Sequence, residues 1–495
     1  MPLLSHFKMP FAVRKFCFQY NTGRMFNTAS ASGCNRAPVK INIKPDRKCL
    51  FDAPVDIKVQ GLRPKQQVIF RAKLTDEKEV DFVSSARYEA DNHGVVDLST
   101  SAALGGDYVG VHPMGFMWAM KSQTELGRLF RKDVTSPFEV HLSVHDKGPE
   151  ETEQPVLTSC VHERWFVGEG VQRIPVREGR IRATLFIPPG EGPFPGVMDL
   201  GGTAGGLLEY RACLLANYGF ATMSLAYFGF DDLPKKLLEL HLEYFEEALH
   251  YFQKLPQVKT GGIGVMGTSK GADLSLSMAS FLKGVTAVVC VNGCNANLQA
   301  PLHYRGTSMP GLGLSAHRIT IRDSGVLNVR GCYDDPRAPE NHACVVPVHR
   351  ASARFLFVVA KDDQVWDSEV YAQEVKRQLQ EHGKPAPEIL PLPGAGHLLE
   401  PPYFPSCPAS YHKFVGAALE WGGQPDTHAV AQETYWRRVR EFFLEHVGGK
   451  LKDRIRSTCL WGRMTGGNPT FMAKPESTSC SVESDGVRLF GKESR

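Results

Sequence analysis

The chain has 495 residues and a formal net charge of +4 at pH 7, with 42% hydrophobic and 22% charged residues. These are the values of an ordinary globular protein, and the length suggests two or three domains. The small charge and the dispersed Lys and Arg residues argue against nucleic acid as the main partner. No stretch approaches the ~18 uninterrupted apolar residues of a membrane span.

The first 36 residues have the composition of a targeting segment. They contain five Lys or Arg residues and five Phe residues, and the first acid of the chain is Asp46. A basic, aromatic and acid-free segment is typical of mitochondrial transit peptides, so we predict a transit peptide over residues 1–36 and a location in the mitochondrial matrix. A disordered basic tail is the alternative, and a product started at Met25 would lose most of the signal and stay cytosolic.

Short runs of alternating apolar and polar residues follow, over residues 37–160. They include residues 40–43, 55–59, 67–72 and 138–144, and turn-forming clusters such as Asn92-His93-Gly94 separate them. Such alternation predicts half-buried strands, and several short strands at this spacing are typical of a β-sandwich of about seven strands. We therefore predict an N-terminal Ig-like β-sandwich with a supporting role.

Over residues 161–449 the pattern becomes one of strands that alternate with helices. This alternation predicts a mainly parallel sheet with helices on both faces. An irregular segment interrupts it between residues 291 and 354. Strands are predicted at residues 181–187, 195–200, 221–227, 285–291, 354–360 and 388–392, and helices at residues 207–218, after Pro234, and at residues 368–382.

One strand of this region leads into a short glycine-rich motif. Gly267-Thr268-Ser269-Lys270-Gly271 precedes a helical pattern and fits G-x-S-x-G, the nucleophile elbow of α/β-hydrolases. Glycines flank such a nucleophile because the sharp turn leaves no room for neighbouring Cβ atoms. The motif predicts Ser269 as the nucleophile and the backbone N–H of Lys270 as an oxyanion donor. An ordinary glycine-rich turn is the alternative.

Candidate partners of Ser269 follow in the order that α/β-hydrolases use, which is Ser, acid and His. Asp362 and Asp363 follow one late strand, and His397 follows the last strand. His397 would accept the proton of Ser269, and the acid would fix the tautomer of the imidazole. Taken singly, each residue could instead belong to a solvated turn or a surface loop.

The second oxyanion donor is expected after another strand of the sheet. Gly201-Gly202-Thr203 follows the strand at residues 195–200, and its glycines let backbone N–H groups approach an oxyanion closely. We predict that the backbone N–H groups of Gly202, Thr203 and Lys270 form the oxyanion hole. The twelve cysteines show no C-x-x-C pair and no metal-ligand spacing, so we expect free thiols, no metal and no cofactor.

Several blocks of sequence between residues 37 and 449 match, in order, the pattern of one known family. The blocks are ALGG at residues 103–106, HERW at 162–165, PFPG at 193–196, GGLLEYRA at 205–212, DLPK at 232–235, HLEYFEEA at 241–248, SMASFLKG at 277–284, EPPYFP at 400–405 and WGG at 421–423. With them the chain resembles the family of type I acyl-CoA thioesterases and bile acid-CoA:amino acid N-acyltransferases.

The resemblance implies an N-terminal β-sandwich, a C-terminal α/β-hydrolase domain, and hydrolysis of long-chain fatty acyl-CoA to free acid and CoA. It assigns the nucleophile to Ser269, the acid to Asp363 over Asp362, and the base to His397. Branches that conjugate bile acids to amino acids have Cys as nucleophile, so Ser269 favours the hydrolytic branch. An acyl-serine would form, and His397 would activate the water that cleaves it.

Two other functions stay open. One is a transferase that passes the acyl group to an amine such as glycine or taurine, and the other is a catalytically silent lipid-binding protein. Thr268 and Asp273 depart from the family pattern, which has an aliphatic residue and Glu there. Acyl-CoA is the expected partner of a monomer or weak homo-oligomer.

The tail over residues 450–495 resembles nothing in the family. It is polar and lacks periodicity, so we predict disorder. It ends in Lys492-Glu493-Ser494-Arg495, which is not a peroxisomal signal of the Ser-Lys-Leu type. A peroxisomal location is therefore the less expected one.

Overall fold

The computed structural model describes residues 38–147 and 155–447, and the structural statements below concern these residues. The predicted transit peptide over residues 1–36 and the predicted disordered tail over residues 450–495 lie outside them. The described residues from Val39 onward belong to one compact unit. Within the described ranges, every helix is too short or too polar to serve as a membrane span.

The N-terminal region consists of strands in two sheets, with one short helix, Gly115–Trp118 (α1). The strands are Lys40–Lys44 (β1), Lys48–Leu50 (β2), Asp56–Gln60 (β3), Gln67–Thr75 (β4), Asp81–Glu89 (β5), Val96–Asp97 (β6), Gly105–Gly106 (β7), Lys121–Ser122 (β8), Phe138–Asp146 (β9) and Val156–Trp165 (β10). One sheet has the order β1-β3-β6. The other has the order β2-β10-β9-β4-β5-β7, with β8 paired to β5.

Alternating sequence explains these strands. Buried and exposed residues alternate along β3 and β4, because successive side chains of a strand point to opposite faces. The predicted runs at residues 40–43, 55–59, 67–72 and 138–144 correspond to β1, β3, β4 and β9. The packing of the two sheets as an Ig-like sandwich stays a prediction.

In the C-terminal region strands and helices alternate, as predicted. The helices are Tyr210–Ala216 (α2), Leu242–Gln253 (α3), Lys270–Phe281 (α4), Ser368–Glu381 (α5) and Pro425–His446 (α6). The strands are Gln172–Val176 (β11), Arg182–Ile187 (β12), Phe194–Leu200 (β13), Ala221–Ala226 (β14), Leu240–His241 (β15), Val258–Thr268 (β16), Val285–Val291 (β17), Leu302–Tyr304 (β18), Thr307–Met309 (β19), Thr320–Ile321 (β20), Leu327–Asn328 (β21), Arg354–Ala360 (β22), Glu388–Leu392 (β23), Ala409–His412 (β24) and Ala417–Glu420 (β25).

Eight of these strands form the central sheet, in the order β11-β12-β14-β13-β16-β17-β22-β23. Neighbouring strands from β14 to β23 pair in parallel. At the other end of the sheet, β12 pairs antiparallel with both β11 and β14. This topology confirms the predicted α/β class with a mainly parallel sheet. Because carboxyl ends of parallel strands meet at one edge, the loops that follow β13, β16, β22 and β23 lie on the same side.

One helix start was predicted incorrectly. A long helix was expected soon after Pro234, but α3 begins at Leu242. The two preceding residues form β15, which pairs in parallel with β18 of the irregular segment. Pairing with a distant segment therefore overrides the local helical pattern of Leu237 and Leu240. The irregular segment itself contains 3₁₀ turns at Ala316–Arg318, Pro339–Cys344 and Val348–Arg350.

Asp52, in the turn after β2, joins the N-terminal region to α6 and to the turn that follows α2. Its side chain is buried, and its Oδ2 accepts hydrogen bonds from Trp436 Nε1 at 2.6 Å and from the Tyr218 hydroxyl at 2.8 Å. Burial raises the pKa of this carboxyl, while the two donors lower it. The contact therefore depends on donors that lie far away in the sequence.

We expect Asp52→Leu to lower the midpoint of thermal unfolding. Trp436, which is buried, would lose the acceptor of its indole N–H, and a buried donor without an acceptor costs about 1–3 kcal/mol. Differential scanning fluorimetry of the whole chain measures the change. Asp46→Leu, at an exposed position nearby, is the matched control. Equal midpoints for the two variants would contradict the structural role of Asp52.

Candidate active site

Ser269 lies at a strained turn between β16 and α4. Its backbone has φ 57° and ψ −123°, a conformation that residues with a side chain rarely adopt. A Cβ atom at Gly267 would lie 2.0 Å from the carbonyl oxygen of Gly271, and one at Gly271 would lie 2.4 Å from the carbonyl oxygen of Leu200. Both flanking positions therefore require glycine. This geometry agrees with the strained elbow that the sequence motif predicts, and the role of Ser269 as nucleophile stays a prediction.

A buried hydrogen bond connects Asp363 to His397. Oδ2 of the carboxylate lies 2.9 Å from Nδ1 of the imidazole, and each side chain is 2% exposed. Val365 donates its backbone N–H to the other carboxylate oxygen at 2.8 Å, and the Ser368 hydroxyl donates to Oδ2 at 3.1 Å. With its proton on Nδ1, the imidazole has Nε2 free to accept a proton.

The neighbouring acid has a different set of partners. Asp362 Oδ2 accepts the backbone N–H of Gly423 at 2.9 Å, and its Oδ1 accepts Nε2 of Gln364 at 2.8 Å. Asp362 thus holds together two loops near the site. Of the two candidates left open by the strand pattern, Asp363 is the one that bonds to His397.

Two tryptophans hold the His397 ring in place. The Trp366 ring meets it edge-on with centroids 5.0 Å apart, and the Trp421 ring lies nearly parallel to it at 5.8 Å. The backbone N–H of His397 donates to the carbonyl oxygen of Trp421 at 2.8 Å. Ring packing and this backbone hydrogen bond therefore restrain the imidazole independently of Asp363.

Ser269 and His397 line the same small cavity. Its volume is about 60 Å³, and Gly202 and Thr203 also line it, which is room for a few water molecules. The structure thus brings the predicted nucleophile, base and oxyanion loop to one cleft. A larger cavity of about 340 Å³ lies between α5 and the irregular segment, and the predicted site residues do not line it.

The predicted oxyanion loop passes close to the nucleophile. A Cβ atom at Gly202 would lie 3.0 Å from Cβ and 3.4 Å from Oγ of Ser269, so this position also favours glycine. The Tyr227 hydroxyl donates to the carbonyl oxygen of Gly201 at 2.7 Å and restrains the loop. The backbone N–H of Lys270 lies in the first turn of α4, as predicted. The role of these N–H groups stays a prediction.

The Lys270 side chain has a contact that the sequence motif does not signal. Its ammonium group is fully buried and donates to Asp273 at 2.8 Å, to Asn297 Oδ1 at 2.8 Å and to the Leu298 carbonyl at 2.7 Å. Burial raises the pKa of Asp273 to about 6, against the lowering effect of Lys270. These bonds fasten the start of α4 to the irregular segment.

Thr268, which departs from the family pattern, also has a buried partner. Arg211 donates from Nη1 to the Thr268 hydroxyl, and its Nη2 lies 2.8 Å from Asp199 Oδ1. Both members of the Arg211–Asp199 pair are buried. The hydroxyl at position 268 therefore satisfies one donor of a buried guanidinium group.

His428 supports the loop that carries His397. It lies on α6 with 3% exposure, and its Nδ1 accepts the backbone N–H of Gly396 at 3.1 Å. Burial lowers the pKa of His428 to about 4. No sequence pattern signalled this contact, because α6 was not among the predicted elements and its packing joins distant segments.

We expect His428 to make folding sensitive to acid. Its folded pKa lies below the unfolded value of about 6.5, so its neutral form stabilises the fold at higher pH and this contribution is lost as pH falls from about 6.5 to about 4. The slope is at most about 1.4 kcal/mol per pH unit. Urea denaturation between pH 7.5 and 4.5 measures it.

His428→Asn is the comparison variant for this experiment, because an amide oxygen can accept the Gly396 N–H and does not titrate. The wild type should lose stability relative to the variant only as the pH is lowered below about 6.5. A stability difference that stays constant over the whole range would contradict the buried neutral state.

Comparison with known proteins gives consistent matches along the chain. Residues 52–178 match the family described as "Acyl-CoA thioester hydrolase/BAAT N-terminal region", and residues 240–449 match "BAAT / Acyl-CoA thioester hydrolase C terminal". The chain is 47% identical to "Acyl-coenzyme A thioesterase 2, mitochondrial" of Homo sapiens, covering 84% of this chain and 86% of that protein. It is 47% identical to human "Acyl-coenzyme A thioesterase 1", covering 82% of this chain and 96% of that protein. It is 48% identical to "Acyl-coenzyme A thioesterase 5" of Mus musculus, covering 83% and 97%.

Proposed function

Because the chain belongs to the acyl-CoA thioester hydrolase/BAAT family, we propose that it hydrolyses acyl-CoA thioesters to free acid and CoA. We assign the nucleophile to Ser269, the base to His397 and the orienting acid to Asp363. The observation that carries this assignment is the buried 2.9 Å hydrogen bond between Asp363 and His397, in a site where His397 shares a cavity with the strained Ser269.

The first half of the reaction forms an acyl-serine. Ser269 Oγ attacks the thioester carbonyl carbon while His397 Nε2 takes the hydroxyl proton. The negative charge on the carbonyl oxygen is stabilised by the backbone N–H groups of Gly202, Thr203 and Lys270. The C–S bond then breaks, and the CoA sulfur leaves with the proton from the imidazolium.

The second half of the reaction consumes water. His397 Nε2 takes a proton from a water molecule, whose oxygen attacks the acyl-serine carbonyl. The Ser269 oxygen leaves with that proton, and the free acid is released. A cavity beside His397 with room for a few water molecules supports this step. Asp363 keeps its hydrogen bond to Nδ1 throughout and stabilises the imidazolium.

We expect Ser269→Ala to abolish release of CoA from long-chain acyl-CoA. Loss of a nucleophile that acts with its base lowers kcat by a factor on the order of 10⁶. A thiol-reactive dye that detects free CoA measures the turnover. Ser308→Ala, in β19 and outside the catalytic machinery, is the control. Equal, background-level CoA release by the wild type and by Ser269→Ala would favour the silent lipid-binding alternative.

The same assay separates hydrolysis from acyl transfer. With glycine or taurine present, the hydrolase should yield free acid as the main product and an unchanged rate of CoA release. Mass spectrometry of the products identifies any conjugate. An excess of N-acyl amino acid over free acid would contradict hydrolysis as the function.

We also propose the domain division that the sequence predicts, with a β-sandwich over residues 37–160 and the catalytic domain over residues 161–449. Antiparallel pairing and alternating burial in β4 and its neighbours support the sandwich. A crystal structure in which the two N-terminal sheets do not stack face to face would contradict it.

We propose a mitochondrial location, which rests on the acid-free composition of residues 1–36. Some relatives, such as human "Acyl-coenzyme A thioesterase 2, mitochondrial", have names that agree with it, and others do not. A fusion of the whole chain to a fluorescent protein should coincide with a mitochondrial dye, and one started at Met25 should not. Identical diffuse distributions of the two fusions would contradict the proposal.

A further inference from the structure

His412 lines the same cavity as Ser269, and neither sequence pattern nor motif assigns it a role. It is the last residue of β24 and is half-buried. Its Nε2 lies 3.1 Å from the hydroxyl oxygen of Thr203, in the predicted oxyanion loop. Its Nδ1 accepts the backbone N–H of Val415 at 3.2 Å.

These two contacts determine the tautomer of His412. The Val415 N–H can only donate, so Nδ1 must be the unprotonated nitrogen. A neutral imidazole carries one proton, which is therefore on Nε2 and is donated to the Thr203 hydroxyl oxygen. Burial, together with the charges of Arg128 and His397, lowers the pKa of His412 to about 4. The ring is thus neutral at physiological pH.

The tautomer determines in turn what Thr203 can do. Its hydroxyl oxygen accepts the proton of His412 Nε2, so its own hydrogen remains to be donated. In the described part of the chain, His412 is the one group that hydrogen-bonds this hydroxyl. Thr203 is buried and lines the cavity together with Ser269 and Gly202. A negatively charged ligand atom bound in the cavity would accept the hydrogen that this hydroxyl has left to donate.

We propose that His412 is a positioning residue that orients the Thr203 hydroxyl as a side-chain donor to the oxyanion, in addition to the backbone N–H groups. The inference rests on the proposed function, because the oxyanion arises when Ser269 attacks the thioester. Donors already aimed at a developing charge stabilise the transition state more than the bound substrate. The Thr203 hydroxyl should therefore act on kcat and leave KM almost unchanged.

Thr203→Val keeps the shape of the side chain and removes the hydroxyl. We expect kcat for acyl-CoA hydrolysis to fall about 10²-fold, as on loss of one oxyanion donor, with KM within about twofold. Thr203→Ser restores a hydroxyl and should recover most of the loss. The rate at which a fluorophosphonate labels Ser269 should fall in parallel in Thr203→Val, because its phosphoryl oxygen occupies the same hole.

A double-mutant cycle tests whether His412 acts through Thr203. His412→Leu should lower kcat about tenfold or more in the wild type and by less than about twofold in Thr203→Val. His412→Gln, whose amide N–H₂ can reach the position of Nε2, should recover part of the loss. His250→Leu, at an exposed histidine of α3, is the matched control and should leave kcat unchanged.

Three outcomes would overturn the inference. They are a Thr203→Val enzyme with wild-type kcat, an equal effect of His412→Leu with and without the Thr203 hydroxyl, and a loss that appears only in KM. If thermal unfolding shows that Thr203→Val or His412→Leu is poorly folded, the conservative variants Thr203→Ser and His412→Gln decide instead. Labelling of Ser269 at the wild-type rate in both variants, with kcat still low, would contradict the inference. An active Ser269→Ala enzyme would instead refute the assignment of Ser269 as the nucleophile, on which this inference rests.

Discussion

The hydrogen bond between Asp363 and His397 is the constraint on which the geometry of the site depends. It joins loops that follow β22 and β23, two neighbouring strands of the parallel sheet. Because both side chains are almost fully buried, the bond lies in a region of low dielectric, where it is stronger than in water and where loss of either partner is costly. Parallel pairing of these strands brings both loops to the edge at which β16 ends, directly before Ser269.

This bond is held by a set of buried polar contacts around it. Ser368 donates to the carboxylate, and His428 accepts the N–H of Gly396, directly before His397. Next to Ser269 in the chain, Lys270 fastens the start of α4 to Asn297. The strained backbone of Ser269 costs on the order of 1–3 kcal/mol and persists only if the surroundings enforce it. These contacts, with the close approach of the flanking glycines, supply that enforcement.

Local pattern predicted much of the fold and of the candidate site. The strands β17 and β22 have the predicted bounds, because short buried apolar runs bounded by turns are visible in sequence. The same patterns placed Asp363 and His397 at strand ends. By contrast, His412, His428 and the donors to Asp52 could not be predicted, because each contact joins segments far apart in the chain. Thr203 and His412, for example, are separated by 209 positions.

The two departures from the family pattern near the nucleophile have the same physical character. Thr268 accepts a hydrogen bond from Arg211, and Asp273 pairs with Lys270. In each case a buried cation lies beside the residue, and a buried cation requires acceptors for its donors. An aliphatic residue at position 268 would leave that guanidinium with one acceptor fewer, whereas Asp at position 273 keeps the negative charge that Glu would supply. Both residues therefore provide an acceptor for a buried cation next to the elbow. Neither departure removes a group that the proposed chemistry uses.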